Sequence, residues 1–380
     1  MGQQKPPGLT KRGGVWHLDK QIGGTRLRGS TGTSDLGSAQ EVLAKRIDEV
    51  REARLFGVRD DHSFRAAATK YLAENQHKRT LADDAFELKR LDPVIGDLAL
   101  QHVHLGSLRE FIVKRQGDGV CTRTINASLA VVRRILNLAA SEWIDARGLT
   151  WLATAPKIKL LPIRDARKPY PLSPEEQALL FQQLPDHMAM MALFKVNTGC
   201  REQEVCGLKW EYEVRVPEFD TSVFLIPSEH VKNGEERVVV LNRVAKSVID
   251  SQRGLNATYV FGHRGSGRFA GKALTKMNNT AWKRARERAA EQWLVKKGEV
   301  APTGLRRIRV HDLKHTLGRR LRSARVSFED RQDLLGHKSG RITTRYSAAE
   351  LANLIAAAEK ACAQNPHKLP PTTWLRRKAG

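Results

Sequence analysis

A mainly α-helical protein with small β elements is predicted for this 380-residue chain, and three observations predict it. Ile125, Leu129, Val132, Leu136, Ala139 and Trp143 recur at spacings of four and three, which places them on one face of a five-turn helix. Asn233-Gly234 stands between the strand-like runs 223–226 and 237–241, a strong tight-turn signal. Pro156, Pro162, Pro169, Pro171 and Pro174 fall among Lys and Arg, a composition that resists regular structure and suits an extended linker. These observations divide the chain into a small β/α segment (1–58), an all-helical domain (59–155), a basic Pro-rich linker (156–172), a mixed α/β domain (173–360) and a tail (361–380).

In chain order, alternating runs at 14–20 and 25–30, separated by Gly23 and Gly24, predict a small hairpin or sheet. Arg26 and Arg28 then share one strand face by the period of two, either as a DNA-facing pair with Trp16 nearby or as an ordinary charged face. The pattern turns helical from Asp35 to Val58, and several helices follow between Phe64 and Arg147. Arg123, Arg133, Arg134 and Arg147 lie largely off the apolar stripe, as phosphate contacts or as a solvated surface. After the linker, Ser173, Pro174 and Glu176 read as a helix start, with a hydroxyl cap, proline at the first turn and a carboxylate reaching back. Further helices are predicted at 274–290 and from Leu313 through Arg322 onward.

Charge narrows the function. The formal net charge is +24, and residues 264–345 alone hold 22 Lys and Arg against 7 Asp and Glu. Such clustering is the footprint of a polyanion binder, because each phosphate neutralised releases condensed counterion. The chain contains no long apolar run, which argues against a membrane span, and its polar start has no signal-peptide core. Cys121, Cys200, Cys206 and Cys362 form no CxxC pair, so a reducing cytoplasm is expected, with Cys200 and Cys206 as small buried hydrophobes.

Three motifs carry the chemistry: TGCREQEVCGLKW (198–210), HDLKHT (311–316) and LLGHKSGRITTRYS (334–347). A DNA phosphodiester resists attack because its non-bridging oxygens are anionic and its leaving alkoxide is basic. Cleavage therefore needs cations at the former and a proton donor at the latter. Arg201 offers a planar fork for two phosphate oxygens, and a phenol such as Tyr346 can form a covalent phosphodiester that conserves the broken bond. Glu204, three residues after Arg201, falls on the same helical face and can orient it.

Taken in order, Arg201, Lys232, His311, position 314, His337 and Tyr346 resemble the active-site pattern of the tyrosine recombinases, the phage integrase family. The match is specific over about 173–360 and only architectural before it. The resemblance implies an arm-type DNA-binding segment, a helical core-binding domain and a catalytic domain of the tyrosine recombinase type. It further implies a site-specific recombinase working as a homotetramer on two double-stranded DNA attachment sites, in the nucleoid, with no metal or nucleotide cofactor. Accessory DNA-bending and directionality factors are candidate partners. By the same resemblance, Tyr346 is the nucleophile, Lys232 the general acid, His311 an aid to proton movement at the tyrosine and His337 a hydrogen-bond donor to the scissile phosphate. The chain departs from the family's H-x-x-R at Lys314, which keeps the charge but loses the bidentate fork. Lys314 substitutes directly, Arg309 or Arg319 reaches in, or the protein is a non-catalytic relative that retains site recognition.

Rival readings are weaker. His311 and His315 are four apart and could share a zinc ion, but the glutamate expected beside the first histidine of a metalloprotease is missing. A type IB topoisomerase shares tyrosine chemistry, yet the helical middle domain and basic N-terminal segment fit an integrase better.

Overall fold

The computed structural model describes residues 6–22, 24–56, 59–146, 148–263, 267–337 and 348–363. Tyr346 and Arg147 lie outside the described residues. The chain divides into two compact units, 1–167 and 168–380.

In the first unit, β1 (Leu9–Arg12), β2 (Val15–Ile22) and β3 (Thr25–Ser30) form an antiparallel sheet in that order. Arg12 pairs with Val15, leaving Gly13 and Gly14 as a two-residue connection with φ of 54° and 83°. Positive φ at both positions is the twist that joins right-handed strands, and glycine adopts it without steric cost. Helix α1 (Leu36–Phe56) begins where Asp35 accepts the Ser38 N–H at 2.7 Å. Ala39 and Leu43 of α1 close a small core over Leu9 and Leu18, with Trp16 packed at its edge.

The all-helical part comprises α2 (Phe64–Glu74), α3 (Leu81–Ile95), α4 (Arg109–Gly117) and α5 (Thr122–Ser141). All six residues of the predicted stripe are buried, and they meet Phe64, Tyr71, Leu91 and Leu108 in one core. The Pro-rich stretch that follows is extended but not loose. Asn126 brackets Leu161, donating to its carbonyl and accepting from its N–H at 2.8 Å each, Ile158 is buried, and Asp165 accepts the Thr122 N–H at 2.6 Å. Its final residues belong to the second unit: the Tyr170 N–H donates to Asp312 at 3.2 Å and the Leu172 N–H to Thr316 Oγ1 at 3.0 Å.

The second unit contains α6 (Pro174–Gln183), α7 (Asp186–Thr198), α8 (Glu202–Cys206), strands β4 (Glu213–Val216), β5 (Thr221–Ile226) and β6 (Arg237–Val240), then α9 (Arg243–Gln252), α10 (Thr280–Lys297), α11 (Thr303–Arg306), α12 (Asp312–Ser323), α13 (Phe328–Leu335) and α14 (Ala348–Ala363). The three strands are antiparallel in sequence order. Helix α6 starts with the expected reciprocal cap: Ser173 Oγ accepts from Glu176 N at 3.2 Å and Glu176 accepts from Ser173 N at 2.8 Å. Helix α7 runs through the centre, with Met191, Phe194 and Val196 buried among Phe224, Val248 and Trp282.

Two local expectations are corrected. Helix α10 begins at Thr280 rather than 274, because Glu202 captures the N–H groups of Met277 and Asn278 at 2.6 and 2.7 Å while Asn279 caps Trp282 at 3.1 Å. The Asn-Gly pair does not form a two-residue hairpin, because Ile226 pairs with Arg237 across a ten-residue connection, 227–236. Within that connection the Gly234 N–H donates to Val231 O at 3.1 Å, a β-turn with Lys232 and Asn233 central and Gly234 fourth at φ 72°. Helix α14 packs onto its own unit, and the tail beyond Ala363 lies outside the described residues. Leu354, Ala357, Ala358 and Ala361 bury against Leu317, Leu321 and Leu334 there.

Candidate active site

Arg201, Lys232, His311, Lys314 and His337, drawn from four separate segments, line one cleft of about 1130 Å³, together with His315, Arg319, Arg322 and Arg331. Each arrives for a local reason. Helix α7 ends at Gly199, whose φ of 64° reverses the chain, and an added Cβ there would lie 3.0 Å from Leu335. The turn delivers Arg201 immediately before α8, with Glu204 accepting from Arg201 N at 2.7 Å and from Arg201 Nη1 at 2.8 Å. Lys232 is exposed on its turn. His311, His315, Arg319 and Arg322 follow one face of α12, at spacings of four, four and three. His337 follows the end of α13, and its Nδ1 lies 2.9 Å from Gln332 Oε1.

Beneath this lining sits a buried layer that residue patterns do not reveal. Arg237, 4% exposed, pairs with Glu204, 3% exposed, and donates through Nη2 to Thr198 O at 3.3 Å and Leu334 O at 3.1 Å. Lys195 is fully buried and donates to the Cys200 carbonyl, holding the turn before Arg201. Lys314 is also buried, and its Nζ donates to Leu335 O. Arg201 Nη2 donates to Gly336 O at 3.0 Å. The last carbonyls of α13 have no partners within the helix and carry its negative pole. The last two, Leu334 O and Leu335 O, and Gly336 O just past the helix therefore each receive a basic side chain.

Crowding of positive charge shows in the proton affinities. Burial, reinforced by Arg237 and Arg201, brings the Lys314 ammonium down to about 7. Burial brings Lys195 to about 8. Desolvation in the cleft wall, then His315, Lys195 and Lys314, bring His311 to about 4, and burial followed by Lys314 and Arg201 lowers His337. Burial raises the Glu204 carboxyl, but Arg237 and Arg201 outweigh it and the net is lowered. The cleft thus crowds basic groups that hold their protons weakly, and an entering anion would strengthen that hold.

Other expected residues fall elsewhere. Cys200 and Cys206 are buried beneath the Arg201 turn, and burial pushes the Cys206 thiol up to about 12, so it stays protonated at neutral pH. His311 and His315 meet edge to face at 4.9 Å, and among the described residues no three His, Cys, Asp or Glu side chains form a metal-sized group. Arg26 and Arg28 both reach Asp19, at 3.0 and 3.8 Å, on the sheet face away from α1, whereas Trp16 lies on the face toward α1. Arg123 and Arg133 are exposed on α5, with Arg134 beside them.

The phage integrase family profile matches residues 172–352, and the phage integrase N-terminal domain profile matches residues 8–50. The chain is similar to the integrase of Salmonella phage P22, 25% identical over 375 residues, 89% of this chain and 90% of that one. In fold it is similar to a lambda integrase tetramer bound to a Holliday junction (TM-score 0.55, 17% identity, 91% of this chain and 99% of that one). It is also similar to the Tn1549 transposon integrase in complex with circular intermediate DNA (TM-score 0.51, 16% identity, 76% and 98%).

Proposed function

We propose, from the premise that this chain belongs to the phage integrase family, the tyrosine recombinases that cut and rejoin DNA, that its cleft holds one scissile phosphate of a duplex attachment site. The observation that carries this reading is the convergence of Arg201, Lys232, His311, Lys314 and His337 on one cleft. Arg201 and Lys314 neutralise the non-bridging oxygens, and His337 donates a hydrogen bond to them. The Tyr346 phenolic oxygen attacks phosphorus with His311 taking up its proton. The bond from phosphorus to the 5′ oxygen breaks, and Lys232 protonates the departing oxygen to leave a free 5′-hydroxyl and a 3′-phosphotyrosine. Attack of a second strand's 5′-hydroxyl on that linkage releases the tyrosine and restores the backbone. The covalent linkage conserves the energy of the broken bond for rejoining.

Arg319, Arg322 and Arg331 extend the cationic lining and would follow the backbone to neighbouring phosphates. With Arg201 and Lys314 sharing the scissile phosphate and Arg319, Arg322 and Arg331 each meeting a neighbouring one, four phosphate contacts correspond to a slope of log affinity against log salt of roughly −3.6, and Arg322→Ala should flatten it by about 1. Binding titrations at several salt concentrations check this, and an unchanged slope would remove Arg322 from the interface. The arm-type role of Arg26, Arg28 and Trp16, and phosphate contacts by Arg123 and Arg133, complete the proposed footprint. So do assembly as a tetramer on two sites, help from bending and directionality factors, and residence on the nucleoid. Among the described residues no helix is long and apolar enough to cross a membrane.

The deciding experiment incubates the chain with duplex DNA from the flanks of its own gene, recovers any adduct that survives denaturant, and maps the modified peptide by mass spectrometry. A 3′-phosphate joined to Tyr346 is expected. Specific binding with no adduct would instead favour a non-catalytic site-recognition protein, the reading that Lys314 in place of arginine keeps open.

A further inference from the structure

We propose that Arg237 is a positioning residue for this reaction, fixing the Arg201 fork and the Lys314 side chain at one spacing through Glu204 and the carbonyl end of α13. The inference rests on the recombinase reading above. Arg237 does not line the cleft, so any effect it has on a phosphate must pass through its neighbours.

The contacts specify how. Glu204 divides its oxygens: Oε1 receives Arg201 Nη1, while Oε2 receives both Arg201 N and Arg237 Nη1. One carboxylate thus sets both guanidinium groups, and Arg201 cannot shift without disturbing the pair. The second arm of Arg237 holds Thr198 O, at the end of α7, to Leu334 O, near the end of α13. The next two carbonyls, Leu335 and Gly336, receive Lys314 and Arg201. Arg237 therefore pins the helix end that sets the other two cations.

Packing agrees. Gly336 adopts φ 58°, and an added Cβ would lie 2.6 Å from Arg237 Nε, so the guanidinium fills the space a side chain would need. That Nε is buried and has no hydrogen-bond partner among the described residues. A charge so placed costs desolvation that Glu204 offsets only while the pair is intact. A hydrophobic residue would serve packing alone at lower cost. The guanidinium also faces Lys314, alongside Arg201, Glu204, Cys200 and His337, and weakens its hold on a proton.

The test compares the full chain with Arg237→Gln and Arg237→Lys on duplex DNA from the flanks of its gene. It measures melting, DNA affinity and the single-turnover rate of adduct formation at saturating protein from about pH 6 to 9. Arg237→Gln should react roughly 100-fold slower with affinity within about threefold, a loss in the chemical step rather than in binding. Its rate should also hold to higher pH, because the charge depressing Lys314 is gone. Arg237→Lys, with the charge but one arm fewer, should recover about tenfold of that loss and keep the original pH limb. A folded Arg237→Gln with unchanged rate and pH limb would overturn the proposal. Should that variant not fold, Arg237→Lys reacting as fast as the unaltered chain would overturn it. No adduct from the unaltered chain would instead sink the recombinase chemistry, and the positioning role with it.

Discussion

Arg201→Ala should slow strand cleavage by roughly 10³- to 10⁵-fold, the range that one arginine contributes to phosphoryl transfer. Its guanidinium is fixed before DNA arrives, with Nη1 on Glu204 and Nη2 on Gly336 O, so no reorganisation is needed when charge develops on the phosphate. The loss should fall on the rate at saturating DNA far more than on affinity, because the other cleft cations and the rest of the footprint still bind the backbone. Arg201→Lys should recover little, since a single ammonium cannot hold the carboxylate, the carbonyl and the phosphate at once. Single-turnover adduct formation beside a binding titration measures both. Equal losses in rate and affinity would make Arg201 a binding residue instead.

Lys314→Met should cost roughly 10²- to 10³-fold in cleavage, while Lys314→Arg should retain or raise it. The pH dependence is more diagnostic. Burial and the neighbouring Arg237 and Arg201, faced also by Glu204, Cys200, His337 and His311, hold Lys314 at about 7, against an ordinary value of 10.5. Above pH 7 the DNA-free protein therefore carries mostly the neutral amine, and a phosphate entering beside it draws a proton onto it. Affinity for DNA should weaken as pH rises from about 7 to 9, by at most about tenfold per pH unit from this group, and Lys314→Arg should remove that slope. Stability runs the other way. Between 7 and 10.5 the unfolded chain binds more protons at this position than the folded one, so its contribution to stability grows with pH. Lys314→Met should accordingly melt higher than the unaltered chain at pH 7, with the gap closing toward pH 10. A slope of binding against pH that survives in Lys314→Arg would assign the proton to another group.

Much of this was legible before any coordinates. The reciprocal cap at Ser173 and Glu176 and the stripe from Ile125 to Ala139 are local patterns that fold as read, whereas Trp143 joins the same core from just past the end of α5. The integrase family was readable from three short motifs because their residue types and order are the signal. Local patterns failed where a distant group intervened. Glu202 captures Met277 and Asn278 from 75 and 76 residues away, so α10 starts six residues later than its composition suggests. The Asn-Gly pair was a sound turn signal, yet the length of the connection put Lys232, not Asn233, at the turn's second position.

What the chain determines by itself is therefore the inventory and the order: a small sheet with one helix, a helical bundle, a mixed α/β unit, and the cations, histidines and tyrosine that the proposed phosphodiester chemistry would use. Tertiary structure alone decides how those groups are held. Arg237 and Lys195 look like ordinary basic residues in sequence, and the acceptors that hold Arg201, Lys314 and Arg237 include backbone carbonyls of residues 334–336. Every residue has a carbonyl, so no residue type announces which ones will be left unpaired at a helix end and aimed at a cation. Proton affinities follow the same rule. Lysine at position 314 is written in the sequence, but a value near 7 arises only because folding strips its water and sets two arginines beside it.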